Sequence, residues 1–400
     1  MSDDRKRHTR RAALAAITSG GALAVADTGS ITSLSLLRDL TFGVGGSNKP
    51  IDVTVAQGDA PRAEISVTNN TSTLVSISAS TSNPDTSSTT SSSTVSDNST
   101  ETVYVHNDTL SGTPSEQTTD VSITVSGSNE QFELRPNVSL PVPSGGSTIT
   151  THTQDGTDYR IHAFENTGDN TFTPNASFDI DVLAVGGGGG GGDGYAGGGG
   201  GAGGLVLEEN KSITTGDVPV SVGAGGGVRD NGEDTSFGSD ITAIGGGRGG
   251  GNYIAGSSGG SGGGGGAGGS GGSGTSGQGN AGGQGYRIDM NDVGGGGGGA
   301  TQPGDAAAED GSKGGDGGDG DDLSGMFGTE FGENGVFAGG GGGAVWEDSA
   351  TPGTGGNGGG GDGAKSNAES GQANTGGGGG GADKGGSPGG SGVVLVRYAV

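Results

Sequence analysis

Residues 179–210 read DIDVLAVGGGGGGGDGYAGGGGGAGGLVLEEN. Phe178, Ile180, Val182 and Ala184 form an alternating apolar face, with Asp179 and Asp181 between the first three, the period-two pattern of a strand. At Gly186 the side chains stop, and at Leu205 a second β-like run begins. This junction decides the fold, because 88 of the chain's 101 glycines follow Val185. Glycine loses more conformational entropy on folding than any other residue, so a free Gly/Ser tract is by default a flexible spacer. A spacer needs no punctuation, however. Here the tracts alternate with apolar islands, "GLVLEEN", "DVPVSVGAGG" and "SFGSDITAI", and close on "GVVLVRYAV", which needs a partner strand.

The ordered alternative is an extended left-handed helix of about three residues per turn, the polyproline II conformation. Glycine in that conformation donates its N–H to neighbouring helices and packs against them with nothing in between, so backbone groups are satisfied between helices rather than within one. A strict Gly-X-Y repeat is missing and there are only 12 prolines, which argues against a collagen triple helix. The tracts are therefore expected to pack within one chain, framed at their ends by the β islands. The flexible spacer remains the competing reading.

Upstream, from 51 to 142, short alternating runs recur between polar breaks: "IDVTVA", "AEISVTN", "STLVSISAS", "ETVYVHN", "DVSITVS", "QFELRP" and "VSLPVP". About seven strands in this span predict an immunoglobulin-like β-sandwich, without a Cys pair or core Trp to mark it. Within it, residues 80–100 are almost all Ser, Thr, Asn and Asp, and predict a mobile loop. The expected class is all-β. Residues 1–26 form an export signal, 27–50 a linker, 51–142 the sandwich and 143–400 a glycine-rich domain.

The export signal is read from Arg5, Lys6, Arg7, Arg10 and Arg11, followed by the small apolar run Ala12–Ala26 ending Ala-Val-Ala. The pair Arg10-Arg11 before a weakly hydrophobic run has the twin-arginine form used by cargo exported already folded. The run is too short to span a bilayer, so the expectation is a secreted protein without a transmembrane anchor. Asn-x-Ser/Thr acceptors at Asn69, Asn70, Asn98, Asn107, Asn137, Asn175 and Asn210 fit a glycosylated exterior. The formal net charge of −27 disfavours nucleic acid, whose phosphates require basic patches. The acids are spread along the whole chain, as in proteins kept hydrated at high salt. With no cysteine, neither disulfides nor thiolate metal sites arise.

"DIDVLAVGGGGGGG", "SITTGDVPVSVGAGGG", "NGEDTSFGSDITAIGGGRGGG" and "GGSGGSGVVLVRYAV" together resemble the glycine-rich domain of phage tail and tail-fibre proteins, over about 147–400. The resemblance implies strands framing a bundle of polyglycine II helices that serves recognition or scaffolding rather than catalysis. The N-terminal signal and acidic composition look instead like exported surface proteins of salt-loving archaea.

No catalytic set emerges. Both G-x-S-x-G matches, around Ser258 and Ser270, lie downstream of every histidine, and His8, His106, His152 and His162 lack metal-ligand spacing. G-x-G-x-x-G matches lack a surrounding α/β unit. Asp316, Asp319, Asp321 and Asp322, on a glycine-flexible loop, could converge on a Ca²⁺ ion, or form a solvated acidic loop. No other cofactor is expected. Met326, Phe327, Phe331, Phe337, Val345 and Trp346 are the bulky residues inside the glycine region, read as bundle anchors or as a recognition surface. The expected function is structural or adhesive, at a cell envelope or virus-like surface, with a surface protein or glycan as partner. The alternatives are a calcium-dependent binding module and a flexible spacer presenting the N-terminal β-domain.

Overall fold

The computed structural model describes strand segments between residues 23 and 140, and residues 143–399 except 175, 176, 252 and 289. The chain divides into two compact units, one of residues 1–107 and 116–140, the other of residues 108–115 and 141–400. Arg10, Arg11, Asn70, Asn98 and Asn175 lie outside the described residues.

The described residues of the first unit lie almost entirely in strands. A six-stranded sheet runs β1 (Leu23–Val25), β3 (Leu40–Val44), β4 (Ile51–Gln57), β5 (Arg62–Asn69), β9 (Ser99–Asn107), β7 (Thr86–Ser88). A five-stranded sheet runs β2 (Ile31–Leu36), β11 (Gln131–Leu140), β10 (Gln117–Ser126), β6 (Val75–Thr81), β8 (Ser93–Val95). β2 and β3 fall inside the stretch assigned to a linker. β7, β8 and the start of β9 fall inside the Ser/Thr-rich stretch 80–100. These polar strands form because pairing to β9 and β6 satisfies their backbone groups, which burial-based reasoning from composition ignores.

In the second unit, β12 (Thr148–Gln154), β13 (Thr157–Phe164), β15 (Phe178–Val185), β16 (Leu205–Ile213) and β22 (Val393–Ala399) form a sheet ordered β12-β13-β22-β15-β16. The final strand is thus the central one, antiparallel to both β13 and β15. A four-stranded sheet follows the order β14 (Gly168–Phe172), β17 (Val218–Val222), β18 (Thr235–Phe237), β19 (Ile241–Ala243). β20 (Asp321–Asp322), β21 (Val336–Phe337) and one helix, α1 (Ser324–Phe327), complete it.

The central sheet is buried on both faces. Ile180, Val182 and Ala184 of β15, with Val394, Val396 and Tyr398 of β22, pack with Phe172, Val220, Val222 and Phe237 of the smaller sheet. Leu183, Val185, Val393 and Leu395 point the other way, onto Phe327, Phe331 and Phe337. Arg397 ties α1 to this second face. Its guanidinium donates to Asp181 Oδ2 at 2.7 Å, Gln154 Oε1 at 2.8 Å and the Met326 carbonyl at 2.7 Å, and lies over the Tyr159 ring. Three acceptors and a stacked ring satisfy a buried charge that would otherwise be costly.

The glycine tracts 186–192, 294–299 and 339–343 belong to no helix or strand, yet every N–H along them donates a hydrogen bond to another part of the backbone. Along 186–192 the N–H donors change target with a period of three. Gly186, Gly189 and Gly192 donate to Gly204, Gly201 and Gly198; Gly187 and Gly190 to Glu233 and Asp230; Gly188 and Gly191 to Gly390 and Ser387, all at 2.8–2.9 Å. The partner numbers fall as the donor numbers rise, so these three neighbours run antiparallel. The carbonyls repeat the pattern in reverse. They accept from Gly246 and Gly249, from Gly226 and Arg229, and from Gly379 and Ala382, in tracts that run parallel. Tracts 294–299 and 339–344 keep the period of three, with a different mix of directions: Gly339 and Gly342 donate to Gly358 and Gly361 of a parallel tract, and the Gly296 and Gly299 carbonyls accept from Gly283 and Asn280 of an antiparallel one. A backbone that turns a new face to a new neighbour every residue, and returns after three, has a three-residue screw.

Such packing leaves no room for a side chain. At Gly200 an ideal Cβ would collide with the Gly189 carbonyl, and the Gly200 carbonyl itself sits where Cβ atoms on Gly297 and Gly378 would go. Gly200→Ala is therefore expected to destabilise the domain by about 3 kcal/mol or more, since backbone rather than a flexible side chain must yield. Gly325 in α1 faces open space, and Gly325→Ala is expected to be neutral or slightly stabilising. Urea unfolding of the two variants checks this; equal midpoints would contradict the packing account.

Candidate functional site

The topology gives the glycine domain two unlike ends. β15 leads into 186–192, which runs away from the sheet, turns through residues 193–196, and returns as 197–204 into β16. Tract 246–249 runs alongside 186–192 in the same direction, so the turn at 251–255 lies at the far end too. The hydrogen bond from Ala344 N to the Gly197 carbonyl places Val345 and Trp346 there as well. So does the antiparallel bridge between Val293 and Val345, for the hairpin Tyr286–Val293.

Side chains excluded from the tracts gather at this far end. Trp346 stacks on Tyr195 with ring centroids 5.2 Å apart and 21° between planes, and Tyr195 stacks on Tyr253 at 5.7 Å and 16°. The Arg287 guanidinium lies 4.6 Å from the Tyr253 ring centroid. Near-parallel rings separated by more than 5 Å are offset, so part of each face stays uncovered. Tyr195 and Tyr253 are 46% and 43% exposed. Ile254, Met290 and Val228 are the other exposed large hydrophobic residues among those described. Val228 also lies at this end, since its neighbour Arg229 donates to the Gly191 carbonyl.

The platform is braced from below. Tyr195, Ala196 and Tyr253 hold left-handed backbone (φ 43°, 54° and 66°), costing of order 1 kcal/mol each for residues with a Cβ. Asp383 Oδ1 accepts from Tyr195 N at 3.1 Å, and Asp193 Oδ1 from Gly385 N at 3.2 Å. Asp292 is buried. Its Oδ1 accepts from Ile288 N, its Oδ2 from the Tyr253 hydroxyl at 3.4 Å, and its carbonyl from Trp346 N at 3.0 Å. Ala196, Ala267 and Ala344 pack together in the same layer.

The bulky residues of the glycine region thus separate. Phe327, Phe331 and Phe337 are core, with Met326 packed against them. Val345 joins Val293 and Ala307 in a smaller cluster, and Trp346 joins the far-end stack. Tyr195, Tyr253 and Arg287 were missed by sequence reasoning, because long glycine tracts separate them and no spacing rule brings them together.

The four aspartates considered for calcium each have local partners. Asp316 pairs with Lys313 and accepts from Thr354 N at 2.9 Å. Burial pushes its pKa up, but the bonds from Lys313 and Thr354 prevail and hold it below its ordinary value. Asp319 accepts from Asn357 N at 3.0 Å, and Asp322 caps Ser324 N at 3.0 Å. Asp321 pairs through its backbone with Phe337. Among the described residues no group of three or more His, Asp or Glu is arranged to hold a metal ion. A groove of about 470 Å³ lined by Asp319, Asp322, Glu333, Asn334 and Asn357 lies beside them, and Glu333 is committed to the Gly358 and Gly359 amides. Of the glycosylation candidates, Asn69, Asn107 and Asn137 lie in β5, β9 and β11. Asn210 is exposed in β16, with a positive φ of 54° beside the register shift opposite Ile180 and Val182.

A family model described as a glycine-rich domain matches residues 164–399. The chain belongs to the glycine-rich domain family. No curated protein matches the sequence. Among solved structures, the CupB2 chaperone of Pseudomonas aeruginosa is similar to 40% of this chain, over 85% of its own, at 12% identity and a TM-score of 0.16. No helix among the described residues is long and apolar enough to cross a membrane.

His162 is an ordinary strand residue by sequence, yet in the folded domain it is a buried titrating group. Its Nδ1–H donates to the Gly145 carbonyl at 2.8 Å, so Nε2 accepts from the Tyr398 hydroxyl at 3.0 Å. Burial lowers its pKa to about 4; the Gly145 bond opposes the shift, and the nearby Arg160 charge adds to it. Because the folded value lies below the unfolded one, near 6.5, the unfolded chain takes up the proton first. Stability is expected to be constant above pH 6.5 and to fall by about 3 kcal/mol on acidification towards pH 4. His162→Phe is expected to lower stability at neutral pH and to flatten that slope, checked by urea unfolding at pH 7.5, 6 and 5. An unchanged slope in the variant would assign the acid sensitivity elsewhere.

Proposed function

We propose that this is a non-catalytic, exported structural or adhesive protein of a cell envelope or virus-like surface. In this reading the glycine tracts are polyglycine II helices forming a stiff stalk, and the loops at their far end make contact with a surface protein or glycan. The observation that carries it is the segregation of side chains. Tyr195, Tyr253 and Trp346 are held in an ordered, half-exposed stack at the end opposite the sheet, on backbone strained at three non-glycine positions. Strain of this kind persists where surrounding structure over-determines it and is concentrated at binding loops. The period-three hydrogen bonding supports the polyglycine II assignment, and argues against a flexible spacer, in which glycine amides would face water. The acidic composition supports a salt-rich exterior. The two sheets of the first unit fit a sandwich of immunoglobulin-like type.

Amide hydrogen exchange in molar salt is expected to show strong protection across 186–192, 198–204 and 294–299, unchanged by a calcium chelator. Exchange at random-coil rates would return the domain to a spacer, and protection appearing only with Ca²⁺ would favour the calcium module. Labelled full-length chain is expected to sediment with envelopes of the organism that encodes it. Recovery wholly in the supernatant would remove the adhesive reading.

A further inference from the structure

The far-end platform has features that select among partners. Its rings are offset, so aromatic faces remain partly open, and the exposed Arg287 caps one end of the stack. The half-buried Asp193 carboxylate stands beside Tyr195 with one oxygen engaged by Gly385 N, while Asp383 is buried beneath, holding Tyr195 N. The chain as a whole carries −27, which repels a second copy and any polyanionic partner at long range.

Resting on the adhesive reading above, we infer that the Tyr195–Tyr253–Trp346 stack is a docking platform for an uncharged pyranose chain. The axial C–H bonds of a pyranose are weakly positive and sit against the negative face of an aromatic ring. Its hydroxyls donate to carboxylate oxygens and accept from a guanidinium, the groups found at the margin of the stack. The uncovered parts of the three rings offer aromatic surface to neighbouring sugar units, as aromatic platforms do for successive bases of a single strand. Uronate-bearing chains fit the same rings but meet the repulsion of an acidic protein.

The chain contains one tryptophan, Trp346, and it lies in the platform, so intrinsic emission reports directly on the site. Full-length protein is titrated with cellohexaose, laminarihexaose and mannohexaose, with alginate as the uronate control. A saturable change in Trp346 emission with at least one neutral oligomer, and none with alginate, is expected. Tyr195→Ala and Tyr253→Ala are each expected to weaken binding about tenfold, the equivalent of roughly 1.4 kcal/mol for a lost ring contact. Tyr195→Phe restores the ring and is expected to restore binding, which a merely structural loss of the hydroxyl would not. Ser276→Ala, an exposed substitution away from the stack, leaves binding unchanged. Thermal unfolding of each variant establishes that the domain remains folded.

Two results overturn the inference. One is an absence of any emission change with all three neutral oligomers while the wild type still sediments with envelopes, which leaves the adhesive reading standing. The other is saccharide binding by Tyr195→Ala and Tyr253→Ala equal to the wild type, which moves the site off the platform. Failure of the wild type to sediment with envelopes removes the adhesive reading itself.

Discussion

The hydrogen bond between backbone amides of different glycine tracts is the interaction on which the domain rests. A net gain of about 1 kcal/mol per bond is ordinary. What is unusual is that no side-chain burial accompanies it, while each ordered glycine costs more conformational entropy than any other residue. The bonds therefore need partners already in place, because a single tract of this conformation has none of its own. Two features supply them. Tight turns return the chain beside itself, as 193–196 does between 186–192 and 197–204. The sheet fixes where the tracts start, and β22, inserted between β13 and β15, closes it with the last residues of the chain. A conventional hydrophobic core on each face of that sheet thus anchors an interior of a different kind.

This division explains what could be read in advance. β15 and β17 were legible from their period-two runs, and β16 and β22 from short apolar runs bounded by glycine, the signals that sequence patterns carry. The all-β class followed from them. Inside the tracts only the outward positions carry information, and they do so at period three. Lys313, Asp316, Asp319 and Asp322 are spaced by three, as are Thr351, Thr354 and Asn357 on the adjoining tract. The structure joins Asp316 to Thr354 and Asp319 to Asn357. Asp316 and Asp319 thus bond the adjoining tract at successive turns of a three-residue screw, a pairing that the sequence of the acidic loop alone does not display. The polar strands β7 and β8 escaped notice because their stabilisation is backbone pairing, to which composition is blind.

The candidate site was the least legible part. Tyr195 lies in a short turn, Tyr253 in another, and Arg287 and Trp346 near a hairpin, each far from the next in the chain, with glycine tracts and strands between them. Their meeting depends on the order in which tracts fill the lattice, and glycine runs encode no order by themselves. The trace they leave is indirect: large residues in a region otherwise without them, several on left-handed backbone where glycine would be the unstrained choice.

That trace also bears on why such a lattice suits recognition. Substitutions inside the tracts place a Cβ against backbone, so the interior cannot drift in sequence without losing its hydrogen bonds. Turns at the far end and every third outward position are free of that constraint, and change there leaves the lattice intact. The same stiffness that forbids change inside holds the loops in one arrangement, which reduces the ordering cost that a loop-borne binding surface otherwise meets on association. In the proposed adhesive role, a backbone lattice separates two demands that usually compete in a small binding domain: stability lies where side chains are absent, and specificity would lie where they are gathered.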